Sequence, residues 1–302
     1  MTPSSRRLVR LAPCLFIFIW ASGYLAAKYA LPYAEPLTFL SLRYFVVAGM
    51  MLLVTVATGS NWPSCPSQYF HISVAGILIQ AGYLGGVWCA IALGMPAGIA
   101  ALIVNCQPLL TAMFARSVGE KVGLRQWAGL LLGLAGVALV VSNKVSTTGL
   151  STPSIVLSVF ALVAITSGVL YQKRYCPAIN ARSGQVIQFG ASFLVTLPFA
   201  LVLEENNIQW TGEFVAALLW SVIVLSGVGM SLLYFMIRNG AATQVTSYLY
   251  LVPPVTAILA YGLFGEVLSP LAVLGMLVTV AAVALVVRPL RSPQPRLDPV
   301  RP

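Results

Sequence analysis

The run Val137-Ala-Leu-Val-Val141 recurs unchanged as Val283-Ala-Leu-Val-Val287, 146 residues further along the chain. The match extends without a gap over Ala97–Val141 and Thr243–Val287. Identical residues at the same offset are Pro108 and Pro254, Gly119-Glu120 and Gly265-Glu266, and Gly129 and Gly275. Each copy has the pattern of an apolar helix interrupted by proline, a polar Gly-Glu turn and a second apolar helix. We therefore interpret the chain as an internal duplication.

The amino-acid composition indicates whether the protein surface faces water or lipid. Of 302 residues, 59% are apolar and 8% are charged, and the mean hydropathy is +0.91. Soluble domains carry about 25% charged residues, so this surface is expected to face lipid. A membrane span needs about 20 mostly apolar residues. The sequence predicts an all-α integral membrane protein without a soluble domain, with these ten spans: Leu11–Tyr29, Leu37–Ala57, Phe70–Ala92, Ala97–Arg116, Leu124–Ser142, Ser154–Lys173, Val186–Leu203, Phe214–Ile237, Ala242–Phe264 and Leu268–Val287.

The distribution of charge predicts orientation. The net charge is +10, and with a cytoplasmic N-terminus most basic residues fall in the tails and turns of that side: Arg6, Arg7, Arg10, Arg116, Lys121, Arg125, Lys173, Arg174, Arg182, Arg238, Arg288, Arg291, Arg296 and Arg301. The opposite side holds Lys144 and the acids Glu35, Glu204, Glu205 and Glu213. This positive-inside bias places both termini in the cytoplasm. The basic balance thus indicates topology and attraction to anionic lipid, and not nucleic-acid binding.

Five spans in each half make the repeat inverted, because an odd number of crossings sends the second copy in from the opposite face. We assign residues 1–145 and 150–288 to the two repeats and 289–302 to a basic cytoplasmic tail. The first span is interpreted as an uncleaved helix and not as a signal peptide, since cleavage would destroy the match between halves. Inverted repeats are typical of transporters that alternate access to one central site.

Several short motifs, taken in order, resemble a known family. They are Trp20-Ala-Ser-Gly23…Lys28, Leu42-Arg43-Tyr44 and Gln107-Pro108…Gly119-Glu120…Gln126-Trp127…Gly129…Gly136-Val137. The set is similar to EamA-type members of the drug/metabolite transporter superfamily. The resemblance implies ten helices in two inverted five-helix halves that export amino acids, related metabolites or drugs. In the second half, Ser167-Gly168…Lys173 matches the first motif, but no arginine is equivalent to Arg43. This difference suggests that the two halves have different functions.

Arg43 is the strongest candidate for a substrate contact. It lies about seven residues into the second span, roughly 10 Å below the outer surface at 1.5 Å per residue. A guanidinium at depth costs about 3 kcal/mol on insertion scales and marks a functional site by default. We expect it to attract a substrate carboxylate or to pair with Glu35 or Glu266 during gating. A static ion pair or contact with lipid head groups is the structural alternative.

Other polar and aromatic residues in the spans are candidates for the substrate pathway. Trp20, Tyr24 and Lys28 are spaced four residues apart and share one helical face, although Lys28 could instead extend to the interface. Hydroxyl groups also bond to their own helix backbone, which is the alternative for serine. The further candidates are Gln80, Tyr83, Trp88, Asn105, Gln107, Ser226, Ser231, Tyr234, Gln244 and Tyr248.

The prolines predict the position of the site along the membrane. Pro108 cannot donate to the carbonyl of Val104, and in lipid that carbonyl needs another partner. Pro253-Pro254 breaks the matching helix of the second half. Paired interruptions of this kind favour a midplane binding site, with simple packing kinks as the alternative. We assign gating or hinge roles to these prolines and to Glu120 and Glu266.

The chemistry missing from the sequence narrows the function. All seven acids fall in turns or tails, and the one histidine, His71, lies near the end of a span. An intramembrane enzyme would need a nucleophile–base pair, metal ligands or a carboxylate dyad at depth, so we predict that the chain is not an enzyme. No Walker-type loop is present, and the five cysteines lack metal-like spacing. We predict no cofactor and no metal.

Together these features predict an inner-membrane transporter that moves small metabolites out of the cell by alternating access. Amino acids or related carboxylate-bearing compounds are favoured because of Arg43. The alternative is efflux of drugs or cationic compounds by proton antiport, in which Glu120, Glu266 or His71 would carry the proton. Export as the direction follows from the family resemblance. The expected partners are a small-molecule substrate and the bilayer, without nucleic acid. One chain is sufficient, and a homodimer is left open.

Overall fold

The computed structural model describes residues 3–95, 97–142, 151–177, 179–239, 241–264 and 269–287. This part of the chain is helical and contains no β-strand. The α-helices are α1 Pro3–Ala30, α2 Pro36–Ala57, α3 Pro66–Gly76, α4 Tyr83–Ala92, α5 Ala97–Val104, α6 Gln107–Phe114, α7 Leu124–Val141, α8 Thr152–Tyr175, α9 Ala181–Leu203, α10 Gly212–Trp220, α11 Met230–Asn239, α12 Ala242–Ser247, α13 Val252–Phe264 and α14 Pro270–Val287.

Eight helical segments are long and apolar enough to cross a membrane. They are Pro36–Ala57, Pro66–Ala92, Ile99–Val118, Leu124–Val141, Thr152–Tyr175, Ala181–Leu203, Gly212–Asn239 and Pro270–Val287. Each corresponds to a predicted span. Within the described residues the first span appears as the shorter apolar helix Leu11–Gly23, and the ninth is divided between α12 and α13. The chain is therefore a multi-pass helical membrane protein, and the number ten stays a prediction.

Two helices are interrupted where the prolines predict. In the first half α5 ends at Val104 and α6 begins at Gln107. In the second half a 3-10 turn, Tyr248–Leu251, separates α12 from α13. The prolines lie in the first turn of the second segment, where the missing N–H costs nothing because it would have no helical partner. They begin new helices and do not kink continuous ones.

Two further irregularities were not predicted. A π-helical segment, Ile77–Gly82, joins α3 to α4, and another, Ser221–Gly229, joins α10 to α11. Shifting the first by 146 residues places it at 223–228, inside the second, so the two occupy equivalent positions in the halves. Such segments insert a residue into the helix and are frequent at functional sites. Both lie beside the central cavity described below.

Helices α7 and α14 show the relation between the halves most directly. A Cβ added to Gly129 would lie 2.9 Å from the carbonyl oxygen of Ala282, and one added to Gly275 would lie 2.6 Å from that of Gly136. Gly129 and Gly275 are equivalent at the 146-residue offset, and so are Gly136 and Ala282. Equivalent residues thus make reciprocal contacts, and the two helices pack antiparallel with their backbones close together.

The bundle has two chemically distinct ends. The basic end carries the described residues Arg116, Lys173, Arg174, Arg182 and Arg238, and Arg174 Nη1 donates to the Ser117 carbonyl there at 3.0 Å. The acidic end carries Glu35, Glu204 and Glu213, and the Asn206 N–H donates to Glu35 at 3.1 Å. At this end the N–H groups of Leu37 and Thr38 donate to Glu204 at 2.8 and 2.7 Å, which caps α2 across the molecule.

Candidate functional site

A cavity of about 110 Å³ lies in the centre of the bundle, between segments of both halves. The helices of the first half supply an arginine, an amide and aromatic rings, and the second half supplies Ser221, Leu225 and Met230. Apolar side chains complete the wall. The polar and aromatic lining residues are Trp20, Arg43, Gln80, Tyr83, Trp88 and Ser221.

Arg43 is the charged group of this central cavity. Its side chain is 7% exposed, and Nε and Nη2 both donate to Ser226 Oγ, at 3.1 and 3.0 Å. Ser226 in turn donates to the Ser221 carbonyl within the π segment, at 2.9 Å. Among the described residues no carboxylate lies within ion-pair distance of the guanidinium, and Glu35 is engaged elsewhere. A buried cation with a neutral acceptor is a strong site for an anion.

Three aromatic residues shape the cavity around Arg43. The ring of Trp88 stacks on Phe39 with centroids 5.3 Å apart, and Trp20 packs against Phe16 at 5.0 Å. Tyr83 lies at the end of the first π segment. Gln80 within that segment donates to the sulfur of Met230 at 3.3 Å, while its carbonyl accepts from Tyr44 Oη at 3.0 Å. The cavity therefore combines one cation with largely apolar walls.

A narrower compartment of about 30 Å³ continues the cavity towards the basic end. Trp20 and Tyr83 line both compartments, and the interrupted helix of the first half contributes Asn105 and Gln107. Asn105 Nδ2 donates to the Ala101 carbonyl at 2.7 Å. The Gln107 side chain is 1% exposed and neither of its polar atoms has a partner in the described part of the chain. Buried amides are normally bonded, so Gln107 provides an unused polar contact.

The two ends of this path differ. At the acidic end a pocket of about 400 Å³ shares Leu31 and Ile91 with the central cavity. The hydrogen bond from Tyr33 Oη, at the rim of that pocket, to Glu213 raises the pKa of Tyr33. At the other end, the narrow compartment is lined by Val245 and Thr246 of α12. The path is therefore wider at the acidic end, at about 400 Å³, than in the narrow compartment, at about 30 Å³.

At the basic end Glu120 contacts Ala242, Thr243 and Lys173, and we call this set of contacts the Glu120 closure. The Ala242 N–H donates to its Oε1 at 2.6 Å, and the N–H and hydroxyl of Thr243 donate to Oε2, both at 3.3 Å. Lys173 Nζ lies 3.6 Å from Oε1. Gly119, with φ of +77°, adopts the left-handed conformation that turns the chain towards these partners. One carboxylate therefore joins the turn before α7 to α8 and to the start of α12.

Not every predicted pathway residue reaches the cavity. Ser231 and Tyr234 line a separate pocket at the basic end. Gln244 Nε2 donates to Tyr248 Oη at 3.4 Å, and neither residue lines the cavity. Tyr24 and Lys28 lie on α1 with side chains outside the described part of the structure, and Glu266 lies outside the described residues.

Several lining residues were missed by the sequence interpretation. Ser221, Thr246 and Phe16 belong to the two compartments, and Ser226, one polar candidate among many, is the partner of Arg43. No local pattern separates these residues from ordinary packing positions. For Ser226 alone the sequence contains a further signal, which is its equivalence to Gln80 at the 146-residue offset.

Comparisons with known proteins agree with this architecture. A solved crystal structure matches with a TM-score of 0.79 over 92% of this chain and 97% of that chain, at 17% identity, which shows a shared fold. "Uncharacterized inner membrane transporter YedA" of Escherichia coli K12 is 27% identical over 93% of this chain and 92% of its own length. A Salmonella typhimurium protein named "Probable amino-acid metabolite efflux pump" is 23% identical, with 88% and 90% covered.

A third relative, "Uncharacterized transporter YvbV" of Bacillus subtilis, is 26% identical over 94% of this chain and 92% of its own length. The EamA-like transporter family matches residues 10–142 and 152–288, two consecutive segments that together make up most of the sequence. The chain belongs to the EamA-like transporter family, a family of transporters and not of enzymes.

Proposed function

We propose that this transporter moves small carboxylate-bearing metabolites, amino acids above all, out of the cell by alternating access around the central cavity. Arg43 carries the proposal: a buried guanidinium that faces a cavity and has a hydroxyl as its partner among the described residues. A carboxylate entering the cavity can form a bidentate contact with such a fork. The efflux-pump name of the Salmonella relative supports the same substrate class.

Size and charge favour small anions over drugs and cations. Pockets for drug-sized ligands enclose about 300–1,000 Å³, and the central compartment encloses about 110 Å³. A cation would meet the positive charge of Arg43 in a setting of low dielectric, where repulsion is strong. The walls formed by Trp20 and Trp88 suit substrates with an apolar side chain beside the carboxylate.

The basic end is assigned to the cytoplasm by the positive-inside rule, and the membrane to the inner membrane, as the name of the YedA relative suggests. In that orientation the wide pocket of the acidic end faces outward, and in our proposal an exported substrate leaves through it. Release of the bonds to Glu120 then opens the cytoplasmic side. Helices broken at equivalent positions in the two halves allow the two states to exchange by rigid-body rocking.

Counterflow in proteoliposomes tests the proposal. Vesicles loaded with unlabelled amino acids, nucleosides or organic cations are challenged with labelled compounds, with and without a pH gradient. We expect counterflow of a carboxylate-bearing compound, with kcat/KM reduced at least about tenfold in Arg43→Ala, since hydrogen bonds to charged groups contribute about 1.5–3 kcal/mol. Arg182→Ala, which removes an exposed arginine outside the cavity, is the matched control.

Other outcomes have definite meanings. Counterflow of organic cations that survives Arg43→Ala would replace the proposal by cation efflux. Carboxylate transport that requires the pH gradient would keep the substrate class and add proton coupling. Absence of counterflow for every carboxylate, from protein that remains monodisperse, would contradict the proposed function.

A further inference from the structure

A second pocket, larger than the central cavity, lies at the basic end between α8, α9 and α11. It encloses about 360 Å³ and does not share a lining residue with either central compartment. We call it the basic-end pocket. Its polar lining residues are Gln172, Lys173, Ser231, Tyr234, Arg238 and Asn239.

The mouth of the basic-end pocket is positively charged. Arg238 is exposed, and the structure shows no hydrogen bond or ion pair to its guanidinium within the described residues. Lys173 contributes a second cation, and none of the residues that line the pocket is acidic. A concave surface lined by positive charges concentrates small anions. The charge pattern therefore fits a carboxylate.

The inner wall contains polar groups, one of them without a partner in the described part of the chain. Tyr234 is 7% exposed, and its hydroxyl has no hydrogen bond among the described residues. Ser231 accepts from Gln185 Nε2 at 2.8 Å, and Gln172 accepts from Gln188 Nε2 at 3.2 Å. Unpartnered buried groups of this kind are few in native proteins, so the Tyr234 hydroxyl is available to donate to a guest carboxylate.

Lys173 connects the pocket to the closure. Its Nζ donates to the Ile237 carbonyl at 3.2 Å, on the pocket side, and lies 3.6 Å from Glu120 Oε1 on the other side. An anion in the pocket offers Lys173 a second carboxylate. The attraction of Lys173 for Glu120 then weakens. The Glu120 carboxylate is held less firmly, and so is its contact with the start of α12.

We propose that the basic-end pocket is an entry site that binds the carboxylate of a small substrate and loosens the Glu120 closure through Lys173. This inference rests on the proposed function for the identity of the substrate, but the pocket is separate from the Arg43 cavity. Two binding events per chain follow: one at the basic end, followed by one beside Arg43. Binding at the entry site couples substrate arrival to opening of the cytoplasmic side.

Binding to the full-length protein in nanodiscs of neutral lipid tests the site. The probe is leucine, and leucinamide, which lacks the carboxylate, is its matched control. In Arg43→Ala we expect leucine binding to persist and to weaken about tenfold when Arg238→Gln is added, the effect of losing about 1.4 kcal/mol. Lys121→Gln, which removes an exposed cation of the same end outside the pocket, should leave the affinity unchanged.

Hydrogen–deuterium exchange reports the coupling. The amides of Ala242 and Thr243 donate to Glu120, so leucine should accelerate their exchange in Arg43→Ala but not after addition of Arg238→Gln. Loss of all leucine binding in Arg43→Ala would contradict the entry site. Displacement of leucine by phosphatidylglycerol in the nanodisc would assign the pocket to a lipid head group and overturn the inference. Persistent binding without counterflow would leave the entry site standing and refute the transport proposal alone.

Discussion

Arg43 and Ser226 face each other across the boundary between the halves, and a single hydroxyl accepts both donated hydrogen bonds of the guanidinium, at 3.1 and 3.0 Å. In the proposed function, a substrate carboxylate takes the acceptor position that Ser226 occupies in this structure. The serine would then compete with the substrate for the guanidinium.

Ser226→Ala removes that competitor. We expect a lower KM for the transported carboxylate in counterflow and a lower thermal unfolding temperature, because a buried charge that loses a partner costs about 1–3 kcal/mol. Ser192→Ala is the matched control, since that buried hydroxyl bonds to the Gln188 carbonyl of its own helix and lines neither the central cavity nor the basic-end pocket. A higher KM in Ser226→Ala would mean that the hydroxyl itself binds substrate.

The close pairing of α7 and α14 predicts a strong effect of one methyl group. In Gly275→Ala the new Cβ would lie 2.6 Å from the Gly136 oxygen and 2.7 Å from the Val140 nitrogen, so backbone must move. We expect destabilisation of about 1–3 kcal/mol, the usual range for overpacking, measured as a fall in unfolding temperature. Gly49→Ala in α2 meets nothing within 4 Å and should be neutral or stabilising. Equal effects of the two changes would contradict the packing argument.

Glu120→Ala should open the basic end. It removes the acceptor of Ala242 and Thr243 and the partner of Lys173. In a background without the five native cysteines, a cysteine at Thr246 in the narrow compartment should react faster with a membrane-impermeant thiol reagent added from the cytoplasmic side. Glu205→Ala removes an exposed acid of the other end and serves as the control. Unchanged labelling would show that Glu120 does not hold the closure.

Pro108→Ala tests whether the interrupted helix is needed for turnover. The alanine N–H could donate to the Val104 carbonyl and join α5 to α6, which stabilises a single straight conformation. We expect a reduced kcat with little change in KM. Pro66→Ala at the start of α3 provides the comparison, because the described residues just before it, 60–65, are not helical. An unaltered kcat in Pro108→Ala would indicate that the break serves packing.

The sequence predicted those features that follow from local rules. Proline has no N–H, so the breaks at Pro108 and Pro254 could be located, and hydropathy alone was sufficient to place Arg43 at depth. The π segments have no comparable residue code, because insertion of one residue into a helix depends on tertiary packing. Met230 lines the cavity whereas Ser231 and Tyr234 line the basic-end pocket, because these residues of α11 lie on different faces of the helix. The pairing of Arg43 with Ser226 likewise depends on the fold.

The reciprocal contacts of Gly129 with Ala282 and of Gly275 with Gly136 have a consequence for the origin of the chain. Each half carries both faces of this joint, as the subunits of a symmetric dimer do. A single ancestral half could therefore have bound a copy of itself inserted in the opposite direction, with no change to either face. Fusion of the two genes would then have allowed one half to acquire Arg43 and the other Ser226, a division of labour that identical subunits cannot achieve.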